Sequence, residues 1–467
     1  MGDGEVDDLP SDRAAGHRFE LGLGAIALAA LVVRIVFTVV VSPRVPRLGD
    51  ASAYHLLAER LAHGGGYIRP FDDLLLHLQR PTAEYPPLFP LLLSLPARLG
   101  AHSVEQQRIF LAFVGAATVA LVGLLGRRAA SPRAGLVAAA LAAVYPMLFL
   151  TEATLMAESL YVLLVTVVLL AAYRAYDDPK PSRFVALGIA VGLATLTRAE
   201  GIVLGVVVVV PLVACMRRLT TRERVQRAAI TLGIAVVVIA PWTIRNAVRF
   251  HAFVPVSNNA GTLIDGANCD ATYGGPQIGL WRETFSQPGG NTPAPAAPAA
   301  AAPTDQAHAC FPGFDIADPH FDEASAANTD TRAGLHYARR HLGTLPKVAA
   351  VRVLRTWGLY APKQQVDFES LEGRPRVWQM RGTVMYWVLL PFAIAGAVIL
   401  RRRRRVVWPL VATALTVTLV AASTYGQQRF RIAAEPGLLV LAAVALHAAW
   451  QRLRTARVNS IPERVTG

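Results

Sequence analysis

Residues 134–173 read AGLVAAALAAVYPMLFLTEATLMAESLYVLLVTVVLLAAY, and this run decides the fold. It is 40 residues long, about twice the ~20 residues an α-helix needs to cross the hydrocarbon core of a bilayer. Basic clusters bracket it, with Arg127, Arg128 and Arg133 before it and Arg174, Lys180 and Arg183 after it. Short loops rich in Arg and Lys stay on the cytoplasmic side. The run therefore enters the membrane and returns, turning near Thr151 to Glu158, which places Glu152 and Glu158 at or just below the outer surface. The next run, residues 184–216, has the same bracketing from Arg217 onward but only 33 residues. At about 1.5 Å per residue, half of it barely spans the hydrocarbon. Its turn, Thr197-Arg198-Ala199-Glu200-Gly201, is expected at membrane depth. Turns and charges are tolerated there only when protein or a polar cavity surrounds them.

Working outward, apolar stretches recur near residues 21–42, 107–126, 134–150, 158–173, 184–197, 201–215, 228–243, 383–400, 406–423 and 436–450. The expected fold is an all-α polytopic membrane protein of about ten transmembrane helices, with short juxtamembrane helices in its external loops. A cytoplasmic N-terminus puts every basic cluster inside, including Arg217 to Arg227, Arg401 to Arg405 and Arg452, Arg454 and Arg457. Both termini are then cytoplasmic in a multi-pass plasma-membrane protein. Acids precede the first apolar stretch and no small-residue cleavage site follows it, so Leu21 to Val41 reads as a retained span. Composition agrees: 53% of residues are hydrophobic, 17% are charged and mean hydropathy is +0.39, too apolar for an ordinary soluble domain of this size. The net charge of +14 sits in loop clusters between spans. That distribution speaks against nucleic acid as a partner.

These signals divide the chain into a cytoplasmic tail (1–20), an N-terminal transmembrane module (21–243) containing external loop 43–106, a large external loop (244–382), C-terminal spans (383–450) and a second cytoplasmic tail (451–467). Loop 43–106 predicts a helix over Ala51 to Ala62 ending at Gly64-Gly65-Gly66, then Tyr85-Pro86-Pro87-Leu88-Phe89-Pro90 opening an apolar half-span. The large loop holds a Pro/Ala-rich tract, 292–303, without the periodicity of a packed element. Beyond it, Gly343 to Tyr360 mixes Lys347, Arg352 and Arg355 with Leu, Val and Trp, which predicts an interfacial helix whose cations meet anionic headgroups. Three cysteines form no CxxC or Cys/His cluster, so a structural zinc site is not expected. Cys269 and Cys310 share the external, oxidising loop and are expected to pair. His55, His63 and His77 match no regular metal-ligand spacing.

This topology gathers the unusual polar residues on the outer face: Asp50, Glu84, Glu152, Glu158, Arg198, Glu200, Arg245, Asn246, Arg429 and Arg431. A cavity lined by carboxylates and arginines is implied. A carboxylate can activate a hydroxyl nucleophile or hold a divalent cation, and an arginine can neutralise a phosphate leaving group through paired hydrogen bonds. Tyr54, Tyr85 and Trp242 offer rings for stacking on a sugar, although aromatic residues also collect at membrane interfaces. Each polar residue also has a structural reading. Asp50 is suited to cap the helix that follows it, Glu158 to sit at a helix N-terminus, Arg198 to pair with Glu200, and Arg245-Asn246 to stop a helix at the interface.

Several motifs together resemble a known family. They are Leu48-Gly49-Asp50 with Tyr54, Ala58 and Gly64-Gly65-Gly66-Tyr67; Glu84-Tyr85-Pro86-Pro87-Leu88; Met156-Ala157-Glu158-Ser159-Leu160-Tyr161; Leu196-Thr197-Arg198; Pro241-Trp242-Thr243-Ile244-Arg245-Asn246; Pro255-Val256-Ser257; and Gln428-Arg429-Phe430-Arg431. Each is short, but their order over residues 20 to 450 resembles the GT-C membrane glycosyltransferases. The branch is glycosyltransferase family 39, with the protein O-mannosyltransferases and the lipid A aminoarabinose transferases. The resemblance implies a GT-C-type bundle and inverting transfer of a sugar from a polyprenyl-phosphate donor, at the membrane lipid, to an extracytoplasmic lipid, glycan or protein hydroxyl. It implies Asp50 as general base and Glu158 as the second acid, the pair being candidate ligands for a divalent cation such as magnesium or manganese. Arg198, Glu84, Arg429 and Arg245 are implied at the donor phosphate, and Tyr54, Tyr85 and Asn246 at the sugar or acceptor. Asp50-Ala51 departs from the adjacent acidic pair of the protein mannosyltransferases, which argues against a eukaryotic-type mannosylation role. The rival readings of the same charges are a secondary transporter or lipid flippase, a non-catalytic scaffold that recruits partners through its external loop, and a polymerase resembling O-antigen ligases.

Overall fold

The protein is described by a computed structural model covering residues 10–42, 49–250, 252–282, 310–311 and 321–459. Helices α1 (Pro10–Val36), α2 (Asp50–Ala62), α3 (Pro70–Leu76), α4 (Leu88–Arg98), α5 (Val104–Ala129), α6 (Pro132–Val144), α7 (Pro146–Ala153) and α8 (Glu158–Asp177) come first. They are followed by α9 (Pro181–Thr197), α10 (Gly201–Ala214) and α11 (Thr221–Arg249). The large loop forms α12 (Ala260–Ala267), α13 (Asp270–Tyr273), α14 (Glu323–Arg340), α15 (Leu345–Thr356) and α16 (Pro362–Ser370). Helices α17 (Arg376–Arg402), α18 (Trp408–Ser423) and α19 (Glu435–Asn459) close the chain. Ile68 and Pro81 form an isolated antiparallel β-bridge.

The expected apolar stretches all fall on these helices, with 134–150 divided between α6 and α7. Six helices, α1, α5, α8, α11, α17 and α19, are long and apolar enough to cross a membrane, and α6 with α7, bent by 48°, passes the same test only as a pair. The remaining three stretches are the shorter apolar helices α9, α10 and α18. Local chemistry sets several ends. Reciprocal capping boxes open α5 (Ser103 with Gln106) and α11 (Thr220 with Glu223). Arginines occupy the last turns of α5, α8 and α17, where positive charge complements the helix dipole.

The bend between α6 and α7 comes from Pro146, which forces Tyr145 into an extended conformation (ψ 112°). Proline has no N–H to give to the carbonyl of Ala142. Arg34 of α1 supplies the replacement, its guanidinium donating to the Ala142 and Ala143 oxygens, and its Nε sits 2.8 Å from Glu152 of α7. A charge at that depth is thus spent on a broken helix and one carboxylate.

Helices α12 to α16 fill the chain between α11 and α17. Glu323, almost fully buried at the start of α14, accepts hydrogen bonds from Arg69, Thr82, the Ala83 N–H and Asn258 at 2.5–2.8 Å. That carboxylate ties α14 to the segment between α2 and α4. Cys269 and Cys310 form a disulfide. The expectation for α15 is corrected. Only Lys347 of the three cations stays exposed, whereas Arg352 and Arg355 are fully buried and donate to the Ala267, Ile278 and Pro276 carbonyls. The irregular chain from 266 to 278 leaves carbonyls that need donors, and these guanidiniums provide them instead of meeting headgroups. The Pro/Ala tract 292–303, the first nine residues and the last eight lie outside the described residues.

Candidate active site

Gly49 and Asp50 begin the site. Gly49 caps α2 with a φ of +124°, a left-handed backbone that glycine adopts without penalty, and nothing lies near the position a Cβ would take. The requirement is for backbone shape. Because Gly49 is the cap, the Asp50 carboxylate is not committed to the helix end. It accepts from the Tyr85 hydroxyl at 3.1 Å and from Arg429 at 3.2 Å, while its side chain stays 33% exposed. The Tyr85 ring stands edge-on to Tyr54, one turn beyond Asp50, at 4.8 Å, and Tyr54 meets Phe89 in the same way. The backbone around Tyr85 is held by Tyr67, whose hydroxyl donates to the Tyr85 and Pro86 carbonyls. Next to it, the Glu84 carbonyl accepts from Ser257 at 2.6 Å, and its carboxylate lies 3.9 Å from Arg69.

Two helix breaks bring the other charges. Arg198 is the extended residue that ends α9, at the turn into α10. It pairs with Glu158 at 2.7 Å and with Glu200 at 2.5 Å. Arg429 lies in the 3₁₀ segment Gln428–Ala434 that leads into α19. It contacts Glu372 at 2.8 Å, Asp50 at 3.2 Å and Glu158 at 3.6 Å, and its N–H donates to Glu369 at 2.9 Å. Phe430 offers its ring to both guanidiniums.

Asp50, Tyr54, Glu84, Tyr85, Arg198 and Arg429 line one cavity of about 300 Å³, with Val203, Leu263 and Val420 as apolar wall. Glu158 is behind that lining, 1% exposed, bridging the two arginines from below. Arg245 and Asn246 are not brought into the cavity. Arg245 donates to the Tyr67 and Thr82 carbonyls and stacks on Trp242, and Asn246 is buried against the Val254 carbonyl. Arg245 braces the loop that carries Glu84 and Tyr85, and Asn246 holds the chain that follows α11. Glu369, Glu372 and Arg374 are site neighbours that sequence reasoning passed over; the signal was the charged turn Leu371-Glu372-Gly373-Arg374 immediately before an apolar helix. Burial pushes the Glu372 carboxyl up to about 7; Arg429 opposes the shift, and the like charges of Glu369 and Asp50 add to it.

The donor set fits a guanidinium better than a metal. Arg429 already stands between Asp50 and Glu158, and among the described residues no three His, Cys, Asp or Glu side chains converge on one point. The chemistry available is a part-exposed carboxylate facing a cavity, with two arginines fixed beside it by buried acids.

Residues 84–244 match the family described as dolichyl-phosphate-mannose-protein mannosyltransferase. No curated protein matches the sequence. Among solved structures, ArnT from Cupriavidus metallidurans in the apo state aligns with a TM-score of 0.54 at 15% identity, over 95% of this chain and 63% of that one. The Archaeoglobus fulgidus oligosaccharyltransferase tethered to an acceptor peptide with an NVT sequon aligns at 0.52 and 15%, over 93% and 51%. AglB from the same organism, in complex with an inhibitory peptide and a dolichol-phosphate, aligns at 0.50 and 14%, over 94% and 52%. This chain spans about half the length of those oligosaccharyltransferases, and at such identities the likeness is one of fold. By that fold, and over the segment its family match covers, the chain is similar to the GT-C membrane glycosyltransferases.

Proposed function

We propose that the protein transfers a sugar from a polyprenyl-phosphate donor to a hydroxyl on an extracytoplasmic lipid, glycan or protein, with inversion at the anomeric carbon. The observation that carries this reading is the Asp50 carboxylate, held by Tyr85 and Arg429 at the wall of a cavity that also presents Arg198. Asp50 takes the proton of the acceptor hydroxyl as its oxygen attacks the anomeric carbon. The bond from that carbon to the phosphate oxygen breaks, and its electron pair leaves on the polyprenyl phosphate. Arg198 and Arg429 offset the charge that builds on the leaving group, already oriented by Glu158 before substrate arrives. Glu158 does not line the cavity, so its part is to position the two guanidiniums. Tyr54 and Tyr85 supply ring faces and edges at the sugar. No step is assigned to a metal, because Arg429 fills the place between the two acids.

The test is transfer from a panel of radiolabelled polyprenyl-phosphate sugars in proteoliposomes, comparing wild type with Asp50→Asn. Wild type is expected to consume a donor, and Asp50→Asn, which keeps the shape and loses the base, to be slower by about 10²–10⁴-fold. Equal turnover by both proteins removes Asp50 from the chemistry. Movement of an intact lipid-linked sugar across the bilayer, with no glycosidic bond formed, turns the reading to a flippase.

A further inference from the structure

A second cleft lies at the other end of the bundle, between the last turns of α17 and α19. Helix α17 starts near the candidate site, where Gln379 donates to Gln428. From Gln379 it runs on to Arg402, roughly 35 Å along its axis. The cleft there has a volume of about 520 Å³; Val398, Ile399 and Ala448 form its apolar wall, and Arg402, Arg403 and Arg452 its rim. Val398 is 45% exposed.

Among the described residues, this cleft carries charge without a counter-charge. Between Glu372 and Glu463 the chain contains a single acid, Glu435, and Glu435 is buried beside Arg431 at the opposite end of α19. Among the described residues no carboxylate lies within ion-pair distance of Arg402, Arg403 or Arg452. Other cations at the same end do have partners, Arg128 with Asp177, and Lys180 and Arg183 with Asp178. Two helix C-termini account for about half a negative charge each, less than the run Arg401 to Arg405 and Arg452 supply.

We infer that this cleft is a binding site for the headgroup of an anionic phospholipid. Guanidiniums pair with phosphate oxygens through parallel hydrogen bonds, and basic pockets between membrane helices suit anionic headgroups. The apolar wall runs from the arginines toward the bilayer, so one acyl chain lies along Val398, Ile399 and Ala448 while the phosphate meets the rim. A free inorganic anion would use the rim and leave that wall unused.

The experiment is native mass spectrometry of the delipidated full chain in detergent, titrated with phosphatidylglycerol, phosphatidylcholine or inorganic phosphate. Wild type is expected to retain phosphatidylglycerol and not phosphatidylcholine. The triple variant R402A/R403A/R452A is expected to lose that affinity by roughly a hundredfold, from the usual worth of three interfacial arginines. The variant R217A/R218A/R222A removes the same charge from exposed positions at the same end and is expected to keep it. Should the first triple variant fail to insert, Val398→Trp narrows the wall with every arginine kept and is expected to weaken retention. Equal losses in both triple variants, unaffected retention in Val398→Trp, or displacement of the lipid by phosphate alone would each overturn the site.

Discussion

At the scale of single residues, the site depends on which acid holds Arg429. Its guanidinium is divided among Glu372, Asp50 and Glu158, and Glu372, at 2.8 Å, is the nearest. Burial, with the like charges of Glu369 and Asp50 beside it, pushes the Glu372 carboxyl up to about 7 in the folded protein. A free glutamate titrates at about 4.3. The folded chain therefore binds this proton more tightly than the unfolded chain does, and the stability this contributes is complete below about 4.3 and is lost as pH rises to about 7. Glu372→Gln keeps the shape and removes the titration. The melting temperature of the variant relative to wild type is expected to rise between pH 5 and pH 8 and to level off above that. A difference that stays flat across the range would mean Glu372 is already ionised at pH 5. Of these residues, Asp50, Glu158, Arg198 and Arg429 were legible in the sequence because charges are rare beside apolar runs and the topology put them on one face. Glu372 was not, because a short charged turn between helices looks like any solvated loop until its neighbours are known.

At the scale of elements, charge bracketing located the turns with little error. The expected turn between Thr151 and Glu158 lies between the end of α7 at Ala153 and the start of α8 at Glu158. The turn at Thr197 to Gly201 separates α9 from α10. Periodicity could not say what would cover the polar face of α15, since an amphipathic helix looks the same whether lipid headgroups or backbone carbonyls await its arginines. Nor did sequence reveal that Arg34 repairs the Pro146 break, because the two are more than a hundred residues apart. That repair gives a second prediction. Gly115 of α5 faces the Glu152 carboxylate so closely that an added Cβ would occupy its place, and Glu152 cannot swing away while Arg34 holds it. Gly115→Ala is expected to cost about 1–3 kcal/mol of stability, as overpacking does. Glu152→Ala, which strands a buried guanidinium, is expected to cost about 3–5 kcal/mol. In the double variant the alanine at 115 meets empty space, so the two losses should fall well short of adding. Chemical or thermal unfolding of the three variants in one detergent decides it, and strict additivity would show that Gly115 does not act through Glu152.

At the scale of the whole molecule, everything said of the reaction requires the Asp50 cavity to face outward, and the chain carries its own probe of that. Cys269 and Cys310 are paired, and Cys215 is a free, exposed thiol. Cys215 caps the end of α10 beside Arg217 and Arg218, at the arginine-rich end of the bundle. His102 lies at the other end, exposed in the turn before α5, whose last residues carry Arg127 and Arg128. If basic loops stay in the cytoplasm, a membrane-impermeant maleimide added to intact cells should leave wild type unlabelled. The variant His102→Cys in a Cys215→Ser background should label fully under the same conditions. Permeabilising the cells should then expose Cys215 without changing the labelling at position 102. The reverse pattern would place the cavity in the cytoplasm, and the acceptor hydroxyl would then have to be sought there.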